Sequence, residues 1–194
     1  MGGVARPKVH DDDLRRRLID EATRIVADSG VGGLSVRAAA QAAGTSTTAV
    51  YSLFGSKDGL TRAVLVRAFE QFAGAQEVAT REDDAVSALG IAYVGWALEN
   101  PRLYELMFGL STVGIEPSEE TEAASARAMA PLRHAATAAI DAGVFRPAEP
   151  ATVAASLWAQ VHGLSLLLLA GRFPDDADPV AAGSAVVAGW RALG

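Results

Sequence analysis

Cysteine is missing from all 194 residues, so disulfides and thiolate metal sites are excluded; this suits a reducing cytosol without proving it. Histidine is nearly as scarce, three in all, with no His-x-x-x-His spacing, so no metal site is expected. No unbroken apolar run approaches the ~20 residues of a membrane helix; the longest lies near 164–170. The first eight residues are polar and basic, unlike a signal peptide. These absences predict a cytoplasmic protein that does not engage a membrane. Catalytic signatures are missing as well: there is no Gly-x-Ser-x-Gly, no phosphate loop and no zincin motif. The acidic pairs Asp83-Asp84, Glu119-Glu120 and Asp175-Asp176 fall at predicted helix starts or in loops and read as surface. No enzyme activity and no cofactor are expected.

What is present is apolar surface. Half the chain is apolar and 21% is charged, enough to bury a substantial core. The net charge of −6 argues against a polyanion partner until it is mapped. Residues 1–60 hold 8 Lys+Arg against 7 Asp+Glu, and the remainder 9 against 16. Only the first portion, with Arg6, Lys8, Arg15, Arg16 and Arg17 grouped, can approach a phosphate backbone without strong repulsion. The acidic remainder also argues against a constitutive DNA-packing protein, which needs spread positive charge.

The period is helical nearly throughout, predicting an all-α chain of about nine helices with no β pattern. Residues 1–10 read as an arm. Asp11, Asp12 and Asp13 suit a helix start, and Leu14, Leu18, Ala22, Ile25 and Val26 form its stripe, up to a stop at Ser29-Gly30. Ser35 caps a short second helix over 36–43. Gly44 breaks it, and Thr45 or Ser46 caps a third reaching about residue 53. A fourth opens after Gly55-Ser56, with Leu60, Val64, Leu65, Ala68, Phe69 and Phe72 on one face. Further helices are predicted over 86–98, 101–110, 119–142 with a bend at Pro131, 151–170 and 179–193. Loops are predicted at 111–118, 143–150 and 173–178.

The segment 35–60, SVRAAAQAAGTSTTAVYSLFGSKDGL, joins two short helices through a glycine turn and adds a capped third. That is a helix-turn-helix, in which the second short helix enters the major groove. Its exposed face would carry Ser46, Thr47, Thr48, Tyr51 and Ser52, hydroxyls that meet base edges or phosphates, while Val50, Leu53 and Phe54 face inward. One of the three residues 46–48 is expected to serve as a cap. Arg37 can reach a phosphate or a guanine edge. Lys57 would meet a phosphate beside the free N–H groups of the next helix.

These residues resemble a known family. Ala43-Gly44-Thr45-Ser46 followed by Val50-Tyr51-Ser52-Leu53-Phe54-Gly55-Ser56-Lys57-Asp58-Gly59-Leu60 is similar to the TetR signature A-G-V-S-x-x-x-L-Y-x-H-F-x-S-K-E-x-L. Thr45 stands for its Val, Val50 for its Leu, Leu53 for its His, and Gly59 for a usual helix former. The match runs over about residues 12–60. Trp158-Ala159-Gln160-Val161-His162-Gly163 resembles the W-x-x-x-H-G feature of TetR-like C-terminal domains, and the connector 141–147 and the run 101–108 also look typical.

The resemblance implies a transcriptional regulator, by expectation a repressor. A helix-turn-helix domain over 11–55 would read double-stranded DNA, contacted by Arg37, Thr45, Ser46, Thr47, Thr48, Tyr51, Ser52 and Lys57. A regulatory and dimerisation domain over 56–194 would bind a small, largely apolar effector. It would form a homodimer through about 151–170 and 179–193, where Ala154, Leu157, Val161, Ser165 and Leu168 make one stripe and Ala181, Ser184, Ala185 and Ala188 another. As a set, Tyr93, Trp96, Tyr104, Met107, Phe108, Trp158 and His162 are expected to wall the effector site. Each alone fits a core position better than a pocket wall. His162, in a very apolar helix, reads first as a core histidine bonded to a carbonyl or side chain and second as a ligand contact. Arg102 and Arg133 read as solvated rather than as partners of an acidic effector.

Overall fold

A computed structural model describes residues 8–109 and 116–192. Residues 1–7 of the expected arm, with Arg6, and the greater part of the 111–118 loop lie outside the described residues, while residues 8–10 of that arm belong to a helix. The helices are α1 (Lys8–Ser29), α2 (Val36–Ala42), α3 (Thr47–Phe54), α4 (Lys57–Gln76), α5 (Ala85–Glu99), α6 (Pro101–Phe108), α7 (Glu119–Asp141), α8 (Pro150–Leu169) and α9 (Pro179–Trp190). Short 3-10 turns sit at Val31–Gly33 and Ala79–Arg81. Among the described residues there is no strand, only one isolated antiparallel bridge between Phe145 and Arg191. α1 begins three residues before the expected start, so Asp11 lies within its first turn and Asp13 pairs with Arg16. Pro131 lies inside α7, which runs on to Asp141.

The chain divides into two compact units, the first from residues 1–69 and 102–123, the second from 70–101 and 124–194. In the first, α1 packs on α2 and α3. Leu18, Ala22 and Val26 of α1 are fully buried, as is Val50 of α3. Ala39 and Ala40 present only methyl groups there, which lets the short helices approach closely. Tyr104 and Leu106 of α6 are also buried in this unit, and the rings of Tyr104 and Phe108 lie 5.0 Å apart.

In the second unit α5 packs on α8 and α9, and α8 on α9. Its core joins Val86, Leu132, Ala136, Phe145, Val153, Ala154, Leu157 and Val187. The connector after α7 turns at Gly143, whose φ of 70° suits glycine, and drives Phe145 into that core. Burying such a ring stabilises by roughly 1.5–3 kcal/mol. The Arg146 guanidinium lies 4.6 Å from the Trp190 ring centre, which ties the connector to the end of α9, and Arg191 pairs with Asp84 at 2.9 Å, which ties that end to the start of α5.

By length and composition α8 is apolar enough to cross a bilayer. Ser156, Gln160, His162 and Ser165 hide this from a scan for unbroken apolar runs. α8 contributes Val153, Ala154, Leu157, Leu164 and Ser165 to the buried interior of the second unit.

Candidate nucleic-acid interface and effector cavity

Each boundary of the helix-turn-helix segment is fixed by a named group. Ser35 caps α2, its Oγ accepting from the Ala38 N–H at 3.1 Å. Gly44 ends it with φ +66°, a conformation that glycine adopts without penalty, and the Thr45 N–H donates to the Ala40 carbonyl at 2.9 Å. Of the two expected caps for α3, Ser46 is the one used: its Oγ accepts from Ala49 N–H at 3.2 Å. Thr45 is half-buried in the turn. Gly55, φ +73°, closes α3. Ser56 then caps α4, accepting from the Gly59 N–H at 3.0 Å.

Gly59, the residue that breaks the expected helix-former pattern, has a steric reason. A Cβ there would lie 1.9 Å from the Phe54 carbonyl oxygen. The turn between α3 and α4 folds its own backbone against the first turn of α4, and only glycine leaves room.

This frame gives α3 two faces. Val50 is fully buried, and Leu53 and Phe54 are half-buried, with the Arg15 guanidinium 5.2 Å from the Phe54 ring centre. Thr47, Thr48, Tyr51 and Ser52, at helical spacing, are exposed, Tyr51 by 54%. Arg37, Ser46 and Lys57 are exposed as well. Of the grouped basic residues, Arg15 stacks on Phe54 and Arg16 pairs with Asp13.

The seven residues expected to wall an effector site fall into two groups. Tyr104, Met107 and Phe108 belong to the first unit, where Phe69 and Phe108 also meet edge to face at 6.0 Å. Tyr93, Trp96, Trp158 and His162 belong to the second and form a linked set. The Phe72 ring meets Tyr93 and Trp96 at 5.1 and 5.2 Å. The Trp158 indole N–H donates to the Tyr93 oxygen at 3.3 Å, and that hydroxyl lies 3.0 Å from His162 Nδ1. A neutral imidazole with its proton on Nε2 can accept the tyrosine proton at Nδ1. Burial holds the His162 pKa below its ordinary 6.5, in the same sense.

Beside this set the second unit contains a cavity of about 350 Å³ between α5, α8 and α9. Tyr93 is the one member of the seven that lines it. Residues not anticipated as site residues complete it, mostly leucine and valine, with Gln76, Gly90, Gly95, Gln160 and Gly183 among them. The available signal was glutamine and glycine recurring inside strongly apolar helices.

Residues 18–64 match the profile of bacterial regulatory proteins of the tetR family, and residues 86–188 match that of the tetracyclin repressor-like C-terminal domain. HTH-type transcriptional regulators of Mycobacterium tuberculosis and Mycobacterium bovis are 30% identical over 142 residues, 70% of this chain. The match covers 61% of each of those relatives, so the chain spans less than two thirds of their length. A solved protein with unknown function from Rhodococcus sp. RHA1 superposes with a TM-score of 0.79 at 28% identity, covering 92% of this chain and 96% of its own. A TetR family transcription regulator from Marinobacter aquaeolei VT8 shares the fold, with a TM-score of 0.69 at 21% identity over 95% of this chain and 99% of its own. With a reader-type profile at one end, a regulatory-domain profile over more than half its length, and the capped helix pair between Ser35 and Phe54, the chain belongs to the tetR family of bacterial regulatory proteins.

Proposed function

We propose that the chain is a DNA-binding transcriptional repressor, acting as a homodimer and released by a small apolar effector. The observation that carries this reading is the two-faced α3. Val50 is fully buried beneath it while Thr47, Thr48, Tyr51 and Ser52 stand in solvent. A short helix held by its caps and one buried anchor, with an outer face of hydroxyls and a phenol, suits insertion into the major groove. Arg37 and Lys57 flank it and would contact phosphates or a guanine edge, and Thr45 would act through the turn. The reader is taken as 11–55 and the regulatory and dimerising body as 56–194.

One such helix contacts too little DNA for tight specificity, and two on a two-fold axis read a near-palindrome with half-sites about 34–36 Å apart. The proposed dimer face lies on α8 and α9. Ala154, Leu157 and Ser165 of the expected α8 stripe are used up inside the protomer. The apolar surface left for a partner is Ala155, Ala159, Leu166 and Leu167 on α8, with Ala181, Ala185 and Ala188 on α9. Small side chains there permit close helix approach. On this reading α8 is a core and interface helix rather than a membrane span. The effector would occupy the cavity between α5, α8 and α9. Gln76 of that cavity and Lys57 lie on the same helix, α4, which gives the coupling a continuous element.

Selecting bound sequences from a random duplex pool tests the core of this reading. A recovered near-palindrome, bound by dimer in light scattering and lost in Tyr51→Phe and Lys57→Ala proteins of unchanged circular dichroism, is the expected result. No enrichment at low salt would refute it.

A further inference from the structure

Among the described residues, the lining of the cavity between α5, α8 and α9 includes no Asp, Glu, Lys, Arg or His. Its polar groups are two primary amides, Gln76 and Gln160, two serines and the Tyr93 ring edge. Two of these are already engaged: the Tyr93 hydroxyl is held by Trp158 and His162, and the Ser87 hydroxyl donates to Asp84 at 2.9 Å. Gln76 is different. It is 97% buried, its Nε2–H donates to the Ala128 carbonyl at 3.1 Å, and its own carbonyl oxygen has no hydrogen-bond partner among the described residues. Gln76 lines the cavity, so this acceptor is open to a donor carried by a bound molecule.

The glycines make an independent point. Gly90 and Gly95 lie inside α5 and Gly183 inside α9, where glycine is the least favourable residue after proline. None has a positive φ. Nor does close packing require them. A Cβ on Gly90 or Gly183 would be in ordinary contact, at 3.5 Å from Val161 and 3.7 Å from Gln160, and one on Gly95 would meet nothing within 4 Å. All three line this cavity. Their common effect is to leave volume that the empty protein does not use.

We propose that the cavity takes an uncharged apolar molecule carrying a single hydrogen-bond donor, an alcohol, phenol or amide, with that donor on the Gln76 carbonyl oxygen. The volume of about 350 Å³ lies at the lower end of the range for small-molecule sites, about 300–1,000 Å³. Carboxylates and ammonium ions are rejected because no lining group compensates their desolvation. This deepens, and rests on, the reading of the cavity as the effector site.

Four probes of one length separate the terms: octan-1-ol, its methyl ether, octanoate and octylammonium, each titrated calorimetrically into the full chain. The alcohol is expected to bind at least tenfold more tightly than the ether, which lacks the donor, and at least a hundredfold more tightly than either ion. Gly95→Leu, a good helix former filling the space, should abolish alcohol binding while the protein keeps its circular dichroism. Gln76→Met should bring alcohol and ether to equal affinity. Ions binding as well as the alcohol, an ether matching it in the unaltered protein, an unaffected Gly95→Leu protein, or no binding by any probe would each overturn the proposal. Operator binding is followed in parallel. Alcohol binding without operator release would refute the effector reading and leave the ligand class standing.

Discussion

The two glycines of α4 make opposite predictions. Gly59→Ala places a methyl 1.9 Å from the Phe54 carbonyl oxygen, a backbone atom that cannot swing aside. Relief requires opening the turn that carries the Ser56 N–H to Phe54 carbonyl bond of 2.8 Å and the Ser56 cap of 3.0 Å. Overpacking of this kind costs about 1–3 kcal/mol, and the gain in helix propensity returns at most about 1 kcal/mol. The net effect is a loss on the order of 1 kcal/mol, or about 2–4 °C in Tm for a chain of this size. Gly74, in the same helix, has nothing within 4 Å of its virtual Cβ, so Gly74→Ala should gain about the propensity difference and raise Tm by a similar amount. Differential scanning calorimetry at one fixed protein concentration reads both. The opening of the turn also tilts α3, so Gly59→Ala should weaken operator binding more than its Tm alone explains. A Gly59→Ala protein as stable as the unaltered one would refute the steric account, since propensity alone predicts the same sign at both sites.

On the proposed operator, Tyr51→Phe removes one hydrogen bond to a charged phosphate and should weaken binding about tenfold or more in anisotropy titrations. Lys57→Ala should lower the slope of log K against log salt by about 0.9, and an unchanged slope would remove Lys57 from the interface. Leu167→Lys places a charge on the exposed apolar face of α8 and should yield a monomer in light scattering with operator affinity largely lost. His162 sets a pH response. Its pKa is depressed by burial, so the unfolded chain takes the proton first and stability falls as pH drops below about 6.5, being fully present above it. A His162→Gln protein should lose that part of the Tm decline between pH 7 and 5.5. Identical declines in the two proteins would show that the imidazole does not titrate on unfolding.

The helix-turn-helix was legible because its determinants are local. A serine three residues before the N–H it accepts, a glycine where φ turns positive, and a buried Val50 between exposed hydroxyls all leave marks at fixed spacing along the chain. Such marks located both short helices to within a residue. They also left two caps possible for α3, Thr45 and Ser46, because either can accept from an N–H three residues on; tertiary placement decided for Ser46. The pattern break at Gly59 could be seen but not explained, since its cause is a carbonyl five residues earlier brought back by the turn.

The cavity was not legible for a related reason. Large apolar and aromatic residues were the natural wall-builders to nominate, and all of those in the second unit are engaged with one another: Phe72 against Tyr93 and Trp96, Trp158 and His162 on the Tyr93 hydroxyl. Of that set, Tyr93 also lines the cavity. The room is walled mostly by leucine and valine, and it opens beside Gly90, Gly95 and Gly183, with the Gln76 amide at its edge. A sequence advertises what a residue brings. Room in an apolar bundle also comes from what its residues withhold, so helix-interior glycines with no backbone or packing need for them mark where the proposed ligand would sit.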